Sequence, residues 1–400
     1  MTSAVIIGGG IIGLAVAWRA AQRGLTVTVA DPAPGRGASH AAAGMLTPVS
    51  EVAYAEKNLL RLGVESLERY PGFTAELTGL TGEPTGFRQT GTLQVAYDAD
   101  DLAVLGELRA LQESLGLPVR PLTARECRGI EPLLDPSIRG GLLVHGDGSI
   151  DPRLLTRALL AAASRAGVTI IRVPVTEVLR ASAPSRKERA SGVRLGDGSV
   201  IAADWVVLAA GWSSASIGGL PPGAAPPVRP VKGQILRLRG TGELLARSVR
   251  GLVRGSSVYL VPREGGELVI GATQEERGPD DQVTAGGVWE LLRDARTLVP
   301  GITELGFGEA SAGLRPCTPD NAPVLGPSML PGLVLATGHF RAGVLLAPVT
   351  ADAIAEYLDT ERLPGVVAPF TVTRFTVLAR GDDASRPPRP PREGHERRVR

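Results

Sequence analysis

The chain is poor in several residue types that carry common structural or chemical signatures. Its 400 residues include only two cysteines, Cys127 and Cys317, which lie far apart in the sequence. This spacing excludes a disulfide framework and a cysteine-rich metal site, so we expect no metal. Only three of the basic residues are lysines, and the formal net charge is +2. Because no strong positive field is available to attract nucleic acid, we expect no nucleic-acid partner.

Long apolar runs are also absent. No stretch of about eighteen apolar residues could form a membrane-spanning helix. The first apolar strand pattern begins a few residues after Met1, with no charged leader before it, which predicts a cytoplasmic protein without a targeting segment. With 43% hydrophobic residues, the chain has enough apolar side chains for a large core, in two domains or in one elaborate domain.

Residues 4–31 predict a βαβ unit that binds a dinucleotide. Residues 4–7 form a short apolar run typical of a buried strand, a helical pattern follows, and residues 25–30 predict a second strand that ends at Asp31. The glycines between strand and helix fit the pattern G-x-G-x-x-G at Gly8, Gly10 and Gly13. They allow a tight turn, close approach of a pyrophosphate, and close packing of helix on strand, in that order. The phosphates then meet the positive end of the helix dipole, and Asp31 accepts hydrogen bonds from a ribose.

Later segments favour FAD over NAD as the dinucleotide. Residues 204–211 and 332–338 are further apolar strand patterns that end in small residues, and residues 192–202 predict a hairpin turning at 196–198. The chain therefore visits the nucleotide-binding sheet early, in the middle and late. A discontinuous sheet of this kind suits a larger, elongated cofactor such as FAD.

Several segments together resemble the D-amino-acid-oxidase-type flavoproteins, with most similarity to their glycine oxidase branch. The segments are residues 5–13, 41–46, 231–233, 259–263, 271–273, 312–316 and 338–341. The resemblance implies an α/β fold with a Rossmann-like FAD-binding domain and a discontinuous second α+β substrate domain on a largely antiparallel sheet. It also implies non-covalent FAD and oxidative deamination of a small amino acid by O2. The products are ammonia, a 2-oxo acid and hydrogen peroxide, and the glycine oxidase branch is linked to thiazole synthesis for thiamine.

The substrate site that the resemblance implies is built around an arginine. Hydride transfer from Cα to a flavin depends on orientation more than on acid–base groups, so no catalytic acid or base is expected. Arg315 is expected to bind the substrate carboxylate, since arginine offers a planar two-pronged donor that lysine lacks. The Tyr259 hydroxyl supplies a second hydrogen bond, and Arg341 lies near the same site.

The resemblance places the cofactor contacts in several separate parts of the chain. They are Gly8, Gly10, Ile11, Ile12, Gly13, Asp31, Ala43, Gly44, Met45, Val175, Gly211, Gly338, His339, Phe340, Arg341, Ala342, Gly343, Val344 and Leu345. A helix that begins near Gly343 would direct its positive end at the negative charge of the reduced flavin. Ser257 and Gln274 depart from the family pattern and affect the volume and polarity of the pocket. Cys317 lies a few residues from the cysteine that links flavin covalently in some relatives, so non-covalent binding is expected.

The domain prediction follows the same resemblance. Residues 1–84, 147–221 and 311–375 are assigned to the FAD-binding domain, and residues 85–146 and 222–310 to the substrate domain. Asp151 is predicted to cap a helix over residues 153–166, with Pro152 at its first position. Residues 376–400 are rich in arginine and proline and predict a disordered tail. We also expect a homo-oligomer.

Three other functions remain open from the sequence. A D-amino-acid dehydrogenase would pass electrons to a membrane quinone instead of O2. A sarcosine-type oxidase would act on N-methyl amines. A flavin-binding protein without turnover would hold FAD but would have no use for Arg315.

Overall fold

The computed structural model describes residues 1–182 and 188–375, so the predicted tail lies outside the described residues. The helices are α1 Ile11–Gln22, α2 Ala38–Ala41, α3 Lys57–Thr81, α4 Ala99–Ser114, α5 Ala124–Ile130, α6 Pro152–Arg165, α7 Ala285–Leu298 and α8 Ala347–Thr360. The first ten strands are β1 Ser3–Ile7, β2 Thr26–Ala30, β3 Met45–Leu46, β4 Thr92–Ala96, β5 Arg120–Thr123, β6 Gly140–Val144, β7 Gly148–Ser149, β8 Thr169–Ile171, β9 Val175–Ser182 and β10 Glu188–Leu195. The remaining strands are β11 Val200–Ala202, β12 Trp205–Leu208, β13 Arg229–Arg239, β14 Ser248–Val253, β15 Ser256–Pro262, β16 Glu267–Gly271, β17 Gly306–Cys317, β18 Val324–Pro327 and β19 Leu333–Thr337.

One sheet has six strands in the order β18-β19-β12-β1-β2-β8. Its strands are parallel except for β18, which runs antiparallel to β19. They come from early, middle and late segments, as the sequence predicts. β1 is almost entirely buried because helices α1, α6 and α8 cover one face of the sheet and the small sheet β9–β11 covers the other. The carboxyl ends of β1, β2, β12 and β19 therefore meet at one edge, the usual place for a nucleotide site in such sheets.

Two local predictions in this half of the molecule are confirmed. Strands β10 and β11 pair as an antiparallel hairpin around residues 196–198. Asp151 caps α6, since its Oδ1 accepts hydrogen bonds from the backbone N–H groups of Arg153 at 2.8 Å and Leu154 at 3.2 Å. Pro152 occupies the first position of that helix, where its missing N–H costs nothing.

A second sheet has eight strands in the order β17-β13-β16-β15-β14-β4-β6-β5. All neighbouring pairs are antiparallel except β14 and β4, so the expected second, largely antiparallel sheet is present. One face packs on α7 around its own buried cluster, which includes Leu236, Leu260 and Leu298. β17 pairs with β13 along its whole length, so a boundary at residue 311 falls inside a strand. The division into domains remains our proposal.

In residues 1–182 and 188–375, no helix combines the length and the apolar character that crossing a membrane requires.

Candidate active site

A cavity of about 1090 Å³ lies where the carboxyl edge of the six-stranded sheet faces the eight-stranded sheet. One side is lined by the ends of β1, β2 and β12 together with the start of α1. The other side is lined by residues of β13, β15 and β17. The volume is that of a site for an extended organic cofactor together with a small substrate.

At the nucleotide end of the cavity, the backbone of the turn after β1 packs closely against the backbone of α1. Gly8 has a φ of +105°, and a Cβ at Gly13 would overlap the Gly8 carbonyl oxygen. Helix α1 begins after Gly10 without a side-chain cap. The Ile11 N–H donates instead to the Ser39 hydroxyl at 3.0 Å. The start of α1 therefore presents N–H groups and little side-chain bulk to the cavity, which is the environment that a pyrophosphate needs.

Asp31 lies at the end of β2 and lines the same end of the cavity. Its two carboxylate oxygens accept hydrogen bonds from the backbone N–H groups of Gly9 and Ala33, each at 2.7 Å. These bonds hold the carboxylate beside the glycine turn. Each oxygen retains a further lone pair for a ribose hydroxyl.

Arg315 lies on β17 at the opposite end of the cavity, half-buried against Gly233. Its Nη1 donates to the backbone carbonyls of Lys232 at 3.3 Å and Thr273 at 3.1 Å. No carboxylate of the residues 1–182 and 188–375 forms an ion pair with Arg315. Any side chain at Gly233 would overlap the guanidinium, so this glycine provides the space that the arginine occupies. The arrangement leaves a positive charge without a protein anion on the wall of a cavity.

Tyr259 lies beside this arginine on β15. It is the register partner of Gly271, and a Cβ at Gly271 would overlap the Tyr259 hydroxyl. Burial raises the pKa of the Tyr259 hydroxyl, and the nearby positive charge of Arg315 opposes that rise. The hydroxyl therefore remains protonated at neutral pH and is available as a hydrogen-bond donor.

A family model described as DAO, FAD dependent oxidoreductase, matches residues 3–357. The chain belongs to this family. FAD dependence and the family prediction are thereby confirmed. So is the expected fold, because the six-stranded sheet and the largely antiparallel sheet together form the architecture of these enzymes.

Three curated relatives show which members of the family the chain is similar to. The bifunctional protein ThiO/ThiG of Trichormus variabilis is 33% identical over 93% of this chain and 55% of its own length. The glycine oxidase of Geobacillus kaustophilus is 34% identical over 92% of this chain and 96% of its own length. The hydrogen cyanide synthase subunit HcnC of Pseudomonas aeruginosa is 30% identical over 93% of this chain and 95% of its own length.

The comparison extends to solved structures. The crystal structure of the Geobacillus kaustophilus glycine oxidase superimposes with a TM-score of 0.85, at 32% identity, over 94% of this chain and 99% of that chain. The chain spans about half the length of the bifunctional ThiO/ThiG relatives that it matches. Its similarity to them therefore concerns one part of a longer protein.

The residues of this chain fit FAD as a DAO-family enzyme requires. Most of the predicted cofactor contacts line the cavity, namely Gly8, Gly10, Ile11, Ile12, Asp31, Ala43, Gly44, Met45, Val175, Gly211, His339, Phe340, Arg341, Gly343 and Val344. The other predicted contacts are not among the residues that line it, and they are Gly13, Gly338, Ala342 and Leu345. Gly13 affects the cavity indirectly, since its lack of a side chain allows α1 to pack close to Gly8, which does line the cavity.

The expected helix start near Gly343 is wrong. A short 3-10 helix occupies Phe340–Ala342, a turn follows, and α8 begins at Ala347. Phe340 has a φ of +46°, which interrupts regular helical geometry. Pro348 in the first turn of α8 also favours a start at Ala347, because proline is tolerated where N–H groups are unpaired. The segment that lines the cavity is therefore a 3-10 helix and a turn, and not the first turn of an α-helix.

His339 lies in this segment but is an unpromising acid or base. It is buried, and its Nε2 lies 3.1 Å from the Thr350 hydroxyl. Burial lowers the pKa of His339 to about 3, so the imidazole is neutral at neutral pH. This agrees with the expectation that no acid–base catalyst is needed, which remains a prediction.

Arg341 is paired within the protein, unlike Arg315. Its Nη2 lies 2.5 Å from Glu56 and its Nε lies 3.7 Å from Glu51. A substrate carboxylate would have to compete with these two acids for the guanidinium. The role of Arg341 in substrate binding remains a prediction, and Arg315 is the better-placed anchor.

Sequence reasoning missed three polar residues of the cavity wall. Ser39 binds the start of α1, and Glu51 and Arg250 form an ion pair beside Tyr259. Arg250 lies opposite Tyr259 in the pairing of β14 with β15. No local motif indicates these residues, because each contact joins segments that are far apart in the chain.

The two residues that depart from the family pattern lie on the cavity wall, whereas Cys317 does not. Ser257 and Gln274 line the cavity. Cys317 is 1% exposed, packs with Val231 and Phe340, and is not among the lining residues. Its burial favours non-covalent FAD, which remains a prediction.

Proposed function

We propose that this enzyme oxidises glycine or another small amino acid or secondary amine, with O2 as the electron acceptor. For glycine, the overall reaction consumes one O2 and one H2O and yields glyoxylate, ammonia and hydrogen peroxide. The observation that carries the proposal is the Arg315 guanidinium, which lies on the cavity wall, donates to two backbone carbonyls and forms no ion pair with a carboxylate of the described residues. The similarity to glycine oxidases along nearly their whole length supports it.

The residues of the chain bind and orient the substrate. Arg315 binds the carboxylate through its remaining N–H groups, and the Tyr259 hydroxyl donates a second hydrogen bond to it. Two fixed contacts on one carboxylate restrict the rotation of a small amino acid and so present its Cα–H in one direction. Bound FAD supplies the hydride acceptor.

Small substrates suit the surroundings of Arg315. The space beside Gly233 and Gly271 is occupied by the side chains of Arg315 and Tyr259, and Tyr259, Met45 and Ala272 pack against a small apolar cluster that includes Ala43. Ser257 and Gln274 add polar groups to the wall, so polar small amines are included in the proposal.

The test is to mix the purified protein with glycine, sarcosine, D-proline and D-alanine without oxygen and to follow the visible flavin spectrum. Bleaching by one or more of these compounds is expected, and the subsequent admission of air should restore the colour and form hydrogen peroxide. If no amine bleaches the flavin, the protein is a flavin-binding protein without this activity. Bleaching followed by slow reoxidation in air and fast reoxidation by a quinone would indicate a dehydrogenase.

We also propose that the product supplies thiazole synthesis for thiamine and that the protein is a cytoplasmic homo-oligomer. The similarity to the bifunctional ThiO/ThiG proteins supports the first part. Loss of the gene should create a requirement for the thiazole moiety, and light scattering on the purified protein measures the assembly. Growth of the deletion strain without thiazole would contradict the first part, and a monomeric mass would contradict the second.

A further inference from the structure

Arg263 follows β15 and is buried behind the cavity wall, with 4% of its surface exposed. Burial lowers its pKa to about 10, so the guanidinium is still charged at neutral pH. No carboxylate of the described residues lies within ion-pair distance of it, although Asp151 and Glu267 attract it from further away. Placing an unpaired charge in a protein interior costs several kcal/mol, so its role there requires an explanation.

The one protein acceptor that Arg263 reaches in the described chain is a backbone carbonyl of the cavity wall. Its Nη2 donates to the carbonyl oxygen of Ala43. Ala43 and Gly44 both line the cavity. The neighbouring carbonyl of Gly44 accepts from the Ile150 N–H at 2.8 Å, and that of His40 accepts from Arg153 Nε at 3.1 Å. The carbonyls of His40, Ala43 and Gly44 are therefore bound by donors of the protein.

Peptide geometry links the Ala43 carbonyl to the Gly44 N–H. Both belong to one planar trans peptide, in which the C=O and the N–H point in opposite directions. With the carbonyl directed at Arg263, the N–H is directed away from it, and it meets no acceptor among the residues that the structure describes. Gly44 has a φ of +70°, and a side chain there would overlap the Ile150 carbonyl and Pro152, so the peptide has little freedom to turn.

We propose that Arg263 is a positioning residue for the cofactor. By binding the Ala43 carbonyl it directs the Gly44 N–H into the cavity, where that N–H donates to a ring nitrogen or carbonyl oxygen of the isoalloxazine. The charged hydrogen bond to the carbonyl also polarises the peptide and strengthens its N–H as a donor. This inference goes beyond the proposed function, since it concerns FAD binding and holds whichever amine is oxidised.

The test compares Arg263→Met with a matched variant, Arg237→Met. Arg237 is 1% exposed and donates to Glu267 at 2.6 Å, but it makes no hydrogen bond to residues 40–45. Apoprotein of each variant is titrated with FAD, and the visible spectrum and midpoint potential of the bound flavin are measured. Arg263→Met should weaken FAD binding about tenfold, the equivalent of one charged hydrogen bond. It should also shift the flavin absorption bands and lower the midpoint potential. Arg237→Met should keep the FAD affinity within about twofold of the wild type and leave the absorption bands and the midpoint potential unshifted.

A third variant provides rescue. Arg263→Lys keeps the charge but has a shorter, single-ended donor, so its FAD affinity and flavin spectrum should lie between those of the wild type and Arg263→Met. Unchanged FAD affinity and spectrum in Arg263→Met would overturn the proposal, and so would equal changes in Arg237→Met. If Arg263→Met does not fold, Arg263→Lys is compared with Arg237→Lys. Weaker FAD binding with a spectral shift in the first alone supports the proposal, and any other result overturns it.

Discussion

The two walls of the cavity are built from different parts of the polypeptide. The nucleotide wall is mostly backbone, with glycine turns, the start of α1 and the small residues 41–44. The substrate wall is mostly side chain, with Tyr259 and Arg250 on the adjacent strands β15 and β14 and with Arg315 on β17 of the same eight-stranded sheet. A backbone wall suits a cofactor that is the same in every turnover, because N–H groups recognise phosphates and rings without specific side chains. We expect the side-chain wall to determine which substrate is bound.

The two walls should also respond differently to substitution. A side chain added to the nucleotide wall forces the backbone to move, and the packed backbone has few alternative positions. Changing a side chain on the substrate wall removes one contact and leaves the sheet that holds it. The former changes are expected to abolish FAD binding, and the latter to lower activity in protein that still carries FAD.

The largest effect is expected from Gly13→Ala. The new Cβ would overlap the Gly8 carbonyl oxygen, and neither α1 nor β1 can move without disturbing the other. Overpacking of this kind costs about 1–3 kcal/mol or more, and it acts where the pyrophosphate binds. FAD affinity should fall at least about a hundredfold, measured as the flavin content of purified protein and by FAD titration. Gly72→Ala within α3 is the control, because a Cβ there meets nothing within 4 Å and FAD content should not change. Yellow Gly13→Ala protein with normal FAD affinity would contradict the account of this wall.

A smaller but still large effect is expected from Arg315→Met. The substrate carboxylate loses its charged partner, which should cost about 2–4 kcal/mol of substrate binding while FAD stays bound. Steady-state kinetics should show a KM raised by a factor of about 30 or more. The KM of Arg315→Lys should lie between those of the wild type and Arg315→Met, since lysine keeps the charge but loses the two-pronged geometry. Arg109→Met, on the exposed side of α4, serves as the control. An unchanged KM in Arg315→Met would rule out the carboxylate role.

The contrast between the walls also explains what the sequence could predict. Gly8, Gly10, Gly13 and Asp31 lie within one continuous βαβ unit, so their spacing alone indicates their purpose. The late strand β19 and the hairpin of β10 and β11 follow from local apolar patterns in the same way. The α/β class and the core of the FAD-binding half could therefore be predicted.

The substrate wall depends on register between distant strands. Arg250 faces Tyr259 only because β14 pairs with β15 in one register, and Glu51 reaches Arg250 from a loop about two hundred residues earlier. Arg315 and Tyr259 were predicted by resemblance and not from any spacing. The start of α8 was misplaced because apolar residues at helical spacing continue through the turn before Ala347. Local periodicity does not distinguish a 3-10 turn from the helix that follows it.

The molecule also contains two buried groups with opposite effects on the pH dependence of stability. Burial raises the pKa of Asp147, near the end of β6, to about 7, whereas burial lowers the pKa of His339 on the nucleotide side. Between about pH 4 and 7 the native Asp147 holds a proton that the unfolded chain has released. The free energy of unfolding therefore falls as pH rises through this window, by roughly 1–3 kcal/mol. For His339 the sign is reversed, and stability is lost as pH falls below about 6.5.

Asp147→Asn separates these contributions. The variant should show no loss of stability between pH 5 and pH 8, while its decline at acidic pH should remain. Denaturant unfolding at several pH values measures both slopes. Asp100→Asn, at an exposed position of α4, should keep the wild-type profile. A wild-type slope retained in Asp147→Asn would show that Asp147 does not titrate in this range.

The smallest effect is expected from Tyr259→Phe, which removes one hydroxyl from the substrate wall and leaves the ring that packs against Gly271. One neutral hydrogen bond is worth about 1 kcal/mol, so kcat/KM for the best amine should fall about fivefold, with FAD affinity unchanged. Tyr357→Phe on α8, whose ring contacts Trp205, is the matched control and should change neither value. A fall beyond about a hundredfold would mean that the hydroxyl takes part in a proton transfer and does more than orient the carboxylate. A loss of FAD from Tyr259→Phe would instead show that the two walls are not independent, because a substrate-wall side chain would then be holding the cofactor.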